Sequence, residues 1–95
     1  MLNLLVSFDM RTGDREPFLK EVIESGILEK VRAEKGCHYY DFYNAAQKPD
    51  ILLLLEEWED EDCQKAHLET EHMAQFREIK AKYVENTTIK TIEFK

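Results

Sequence analysis

The run ILLLL, Ile51 to Leu55, constrains the fold more than any other stretch of the chain. A strand turns successive side chains to opposite faces of its sheet. Ile51, Leu53 and Leu55 therefore point one way, and Leu52 and Leu54 the other. A strand that is apolar on both faces needs cover on both. Leu5 makes the same demand in an earlier strand, Leu2 to Met10, whose Leu2, Leu4, Val6, Phe8 and Met10 line the opposite face.

The remaining elements show how much cover the chain has. Thr12-Gly13-Asp14 is turn chemistry, and Asp14 or Glu16 begins a helix with Pro17 in its first turn. Phe18, Val22, Gly26 and Leu19, Ile23, Ile27 form adjacent helical rows, with a bend expected at Ser25-Gly26 and a helix stop at Gly36. Cys37 to Asn44 reads as a second strand, AAQKPD as a loop, and Asp50 to Trp58 as the third strand. Asp60 caps a helix whose first turn holds Glu61 and Asp62, matching the helix dipole. Thr70 is a second cap, dividing Glu59 to Lys82 into two helices, with Met73, Phe76, Lys80 and Tyr83 on one face of the second. Thr87 to Phe94 reads as the last strand.

This order, βαββαβ, predicts an α+β fold: a ferredoxin-like plait with one antiparallel sheet and helices on one face. The helices suffice for one sheet face only. The uncovered face predicts a homodimer packed sheet against sheet, closing a dimeric α/β barrel by two-fold symmetry. At 95 residues the chain is read as one domain, 1–95, with room for one modest core.

Charge and cysteine usage narrow the function. With 13 basic and 20 acidic residues the net charge is −7, which disfavours nucleic acid as a partner. The longest apolar run, Ile51 to Leu55, is too short to span a bilayer, so no membrane partner is expected. Leu2 to Phe8 lacks the cationic start of a secretory leader. Cys37 and Cys63 form no CxxC, and a reducing cytoplasm is the expected location.

Two of the three histidines lie in AHLETEHM, Ala66 to Met73. Histidine titrates near neutral pH and is the usual proton-transfer group. In one continuous helix His67 and His72 would sit about 140° apart and could not converge. A break at Thr70 removes that restriction. Cys63 and His67 share a helix face, and His72 is a conceivable third ligand. The spacing matches no metal motif, however, so no metal is expected, and Cys63 reads as a small buried hydrophobe. Among the acids of EEWEDED, helix capping accounts for most; Glu56 alone shares a strand face with Trp58.

Three stretches, GCHYYDFY (Gly36 to Tyr43), LLLLEEWEDED (Leu52 to Asp62) and AHLETEHMAQF (Ala66 to Phe76), together resemble the antibiotic biosynthesis monooxygenase family. Gly36, Cys37, Tyr40, Tyr43, Glu56, Trp58, Ala66, His67, Thr70, His72 and Phe76 fit its pattern. The resemblance implies a dimeric ferredoxin-like plait with a pocket between helices and sheet, lined by Tyr40, Glu56, Trp58, His67, His72 and Phe76. It also implies cofactor-free oxygenation of a quinol or small aromatic substrate. His67 would be the base, and His72 or Tyr40 its hydrogen-bond partner. The haem-degrading branch fits poorly. Its Trp position holds His67, its ligand position holds Arg77, and Asn3 faces away from the pocket. A branch that isomerises a phosphorylated autoinducer sugar resembles the second half of the chain but departs at Glu24 to Ile27; there Lys30, Arg32, Lys35 or Arg77 would have to grip the phosphate. A non-enzymatic ligand-binding dimer is the third reading.

Overall fold

The computed structural model describes residues 1–94. Its elements run β1 (Leu2–Met10), α1 (Arg15–Glu24), α2 (Ile27–Arg32), β2 (Cys37–Asn44), β3 (Ile51–Trp58), α3 (Glu61–Leu68), α4 (Glu71–Tyr83) and β4 (Val84–Ile92). The four strands form one antiparallel sheet in the order β2-β3-β1-β4. This is the α+β ferredoxin-like plait, and the sheet is open rather than closed into a barrel.

Strand alternation divides the sheet as the leucine run requires. Leu52, Leu54, Glu56 and Trp58 of β3 are buried, as are Leu4, Val6, Phe8 and Met10 of β1. Of these, Val6, Phe8, Met10, Leu52, Leu54 and Trp58 form one core with Phe18 and Val22 of α1, Ile27, Leu28 and Val31 of α2, and Met73, Phe76 and Ile79 of α4. The cross-strand pairs Leu5–Leu55, Ser7–Leu53 and Asp9–Ile51 lie on the opposite face. There Leu5, Ile51, Leu53 and Leu55 are only half-buried. Among the described residues no helix is long and apolar enough to cross a membrane.

The punctuation acts largely as its chemistry dictates. Gly26 takes a φ of 80° between α1 and α2, a left-handed conformation that suits glycine. Asp60 caps α3 by accepting from the Cys63 amide at 2.9 Å, and Thr70 caps α4 by accepting from the Met73 amide at 3.3 Å. Two boundaries differ from expectation. Helix α2 already ends at Arg32, and Gly36, with φ 81°, makes the left-handed turn into β2 instead of stopping the helix. The last strand begins at Val84, directly after α4, and ends at Ile92 rather than running Thr87 to Phe94. Its extent is set by its neighbour: Val84 pairs with Met10 and Ile92 with Asn3, so β4 starts and stops where β1 offers backbone to bond.

Candidate functional site

The site is built where β3 ends and the α3–α4 break crosses it. Strand alternation puts Glu56 and Trp58 on the helix-covered face, with Tyr40 of β2 paired directly opposite Glu56. The break at Thr70 does the rest. Thr70 Oγ also donates to the His67 carbonyl at 2.9 Å, fixing the end of α3 to the start of α4. His67 and His72 consequently converge instead of diverging.

They converge on a residue that sequence reasoning missed. Glu34, in the turn after α2, places Oε2 2.7 Å from His67 Nδ1 and 2.8 Å from His72 Nε2. A carboxylate only accepts, so each of those nitrogens carries the hydrogen it donates. With the imidazole neutral, His67 is then the Nδ1–H tautomer, and its Nε2 keeps a lone pair. The signal for Glu34 lay in physics rather than pattern: a buried histidine needs a hydrogen-bond partner. A single acid in a turn, 33 residues before His67, announces nothing by spacing.

The surroundings are aromatic and largely buried. The His67 ring centroid is 4.6 Å from that of Trp58 and 5.6 Å from that of Tyr40. His67 is 1% exposed, and Trp58 is fully buried. Glu34 and His72, at 13% and 14%, are the members that reach the surface. Phe76, expected in the same lining, sits deeper in the core, edge-on to Phe8 and Phe18. Ring to ring it reaches Tyr40 through Phe8 and Phe42. A groove of about 460 Å³, lined by Arg32, Cys37, His38, Tyr39, Tyr40 and Asp41, reaches the cluster at Tyr40.

Burial tunes each group. It pushes the His67 pKa below the ordinary histidine value, against the opposing hydrogen bond and charge of Glu34. His67 is thus held neutral and able to accept a proton. Burial, reinforced by Glu56, raises Tyr40 well above the ordinary tyrosine value, keeping its hydroxyl a donor. Cys37 is raised by burial and by Glu34, and Cys63 mainly by its contact with Asp60, so neither thiol is primed as a nucleophile. Cys63 lies against Gly36, where a Cβ would come within 2.5 Å of its sulfur, and it takes no part in the histidine cluster.

Glu56 supplies a pH signature. Its Oε1 accepts from Trp58 Nε1 at 2.9 Å, yet burial raises its pKa above the ordinary carboxylate range. An acid raised in this way binds its proton more tightly folded than unfolded. Its contribution is complete below the unfolded pKa and is lost as pH rises through the folded one. Glu56→Gln keeps the acceptor for Trp58 but cannot ionise. Denaturant melts taken upward from the ordinary carboxylate value, about pH 4, are expected to show wild-type stability falling relative to the variant as Glu56 ionises. Parallel curves would mean that Glu56 ionises as freely folded as unfolded.

Fold and site together define a small α+β chain with a buried, carboxylate-held histidine beside tryptophan and tyrosine. The chain belongs to the antibiotic biosynthesis monooxygenase family, which it matches over residues 1–79. It is 32% identical to the Bacillus subtilis (strain 168) protein named "Putative monooxygenase YcnE" over 76 residues, 80% of this chain and 78% of that one. Solved structures share the architecture. A conserved protein from Methanosarcina mazei Go1 superposes with TM-score 0.86 at 23% identity, covering 99% of this chain and 92% of that one. The crystal structure of an antibiotic biosynthesis monooxygenase superposes with TM-score 0.83 at 23% identity, covering 99% and 98%. At that identity the structural likenesses speak for the fold alone.

Proposed function

We propose that the protein is a cofactor-independent monooxygenase of a quinol or similar small aromatic substrate, with His67 as general base. The observation that carries this reading is the Glu34–His67 hydrogen bond within an aromatic, largely buried cluster. Glu34 fixes the tautomer, leaves Nε2 to take the substrate's hydroxyl proton, and balances the imidazolium that forms. Deprotonation makes the ring electron-rich enough to reduce dioxygen itself. The balance for a simple quinol is one quinol plus one dioxygen giving one hydroxyquinone plus one water. Every electron comes from the substrate. One oxygen atom enters the ring, and the other leaves as water. In this reading Tyr40, held protonated, donates to the developing oxyanion, with Trp58 and Glu56 as walls.

The isomerase reading draws less support. Arg77 already donates to the Leu68 carbonyl, and Arg32 to the Tyr40 carbonyl and the Asp41 carboxylate. Both keep further N–H donors, but neither belongs to a phosphate-binding motif. Oxygen uptake with a panel of reduced quinones tests the proposal, alongside a thermal-shift comparison of quinols with sugar phosphates. Uptake together with stabilisation by quinols is expected. No uptake across the panel, with stabilisation by sugar phosphates, would transfer the site to the isomerase.

The same reading makes the protein a homodimer, because the half-buried Leu5, Ile51, Leu53 and Leu55 need a covering surface. Sedimentation at micromolar concentration is expected to give a dimer for the wild type. Leu53→Glu is expected to give a folded monomer, since two-fold symmetry would bury its unpaired carboxylate in both copies. A monomeric wild type would overturn the pairing.

A further inference from the structure

The convergence of His67, His72 and Glu34 has a second chemical meaning. Two imidazole nitrogens and one carboxylate oxygen all lie within 4.8 Å of one another. They come from three separate places: the turn after α2, the end of α3 and the first turn of α4. Packing and the Thr70 cap hold those places together whether or not an ion is present.

We infer that Glu34, His67 and His72 form a two-histidine, one-carboxylate site for a divalent first-row transition ion. The donor set suits zinc, cobalt, nickel, copper or iron in the divalent state, whereas magnesium and calcium favour oxygen donors throughout. Such an ion sits ~2.0–2.2 Å from imidazole nitrogen and carboxylate oxygen. Donors around it are then roughly 3–3.5 Å apart by simple geometry. The present contacts of 2.7 and 2.8 Å to Glu34 Oε2 would open slightly to admit it, and any wider separation among the three atoms, up to 4.8 Å, would close toward it. The residues that must adjust are Glu34 and His72, which reach the surface, while the buried His67 stays fixed.

Occupancy has a defined consequence at His67. The metal takes the Nδ1 lone pair, so the ring proton moves from Nδ1 to Nε2. His72 exchanges in the opposite sense, from Nε2–H to Nδ1–H. No net proton is released from a neutral ring. The remaining nitrogen of His67 changes from acceptor to donor, and its function as a base ends. Metal binding and proton abstraction are thus mutually exclusive uses of one cluster, and the ion is an inhibitor. The inhibition rests on the oxygenase reading above; the binding site and the tautomer change do not.

The test uses untagged full-length protein, dialysed against chelator and titrated with Co²⁺. Expected are visible ligand-field bands saturating at one ion per chain, lost on adding Zn²⁺. Glu34→Gln and the less buried variant His72→Asn should each weaken binding by no less than the ~10–100-fold that follows loss of an outer-shell partner. Nitrogen-15 correlation spectra should show His67 changing from Nδ1–H to Nε2–H on saturation with Zn²⁺. Absent bands, thiolate charge-transfer bands pointing to Cys37 or Cys63, or affinity unchanged in both variants would overturn the site. If quinols are oxidised, Zn²⁺ should abolish uptake with the same dependence as the tautomer change; faster uptake would overturn the inhibition. If no quinol is oxidised, the cobalt and nitrogen-15 results still decide the site.

Discussion

Exchange of His67 for glutamine is expected to lower quinol-dependent oxygen uptake by about 10²–10⁴-fold, the usual worth of a positioned acid–base group. Glutamine keeps much of the side-chain volume and still offers Glu34 a donor, but its amide cannot take a proton. The loss should therefore fall on turnover far more than on folding. Glu34→Gln should fall between wild type and His67→Gln. It preserves a hydrogen-bonding group while removing the charge that stabilises the imidazolium and the strict acceptor that fixes the tautomer. An oxygen electrode and a melting curve on the same preparations separate the two effects. Full activity in a folded His67→Gln protein would remove His67 from the chemistry.

The second large effect is on stability. Trp58 is fully buried and is the largest such side chain in the described chain. It terminates β3, lies tilted against the His67 ring, and donates its indole N–H to Glu56. Trp58→Ala is expected to cost about 3–5 kcal/mol through lost burial and the cavity left behind. The stranded Glu56 acceptor adds to that loss. Against a total stability of about 5–15 kcal/mol this is a large fraction. At roughly 4–8 °C per kcal/mol the melting temperature should drop by about 12 °C or more. Trp58→Phe keeps an aromatic wall without the donor and should recover most of the loss, leaving the Glu56 hydrogen bond as the remainder. A drop of only a few degrees for the alanine variant would mean that the cluster is not packed around Trp58.

Local patterns made much of this molecule legible. Alternation in Leu2 to Met10 and the leucine run of β3 carry their own face assignment, since a strand has only two sides. Asp60 and Thr70 were readable as caps because their oxygens satisfy amides within the next turn, a purely local need. The Thr70 break was also the condition for bringing His67 and His72 together, and the structure meets it. What was not legible depends on distant partners. The limits of β4 follow the length of β1, which no residue between Val84 and Phe94 records. Glu34 meets the histidines only after the α2 turn, the end of α3 and the start of α4 have packed. Phe76 has the helical spacing of a buried residue, but spacing does not say whether a buried ring faces the histidines or the phenylalanine core.

In the proposed reaction His67, held by Glu34, removes the proton from a bound hydroxyl. A chromophoric hydroxyquinone reports this directly, because its absorption shifts to longer wavelength when it ionises. Bound to the wild-type protein, without dioxygen and at a pH where it is neutral in solution, it should show the phenolate spectrum. Bound to His67→Gln, it should show the neutral one. A neutral spectrum in the wild type, or a phenolate spectrum unchanged in the variant, would contradict the assignment of His67 as the base.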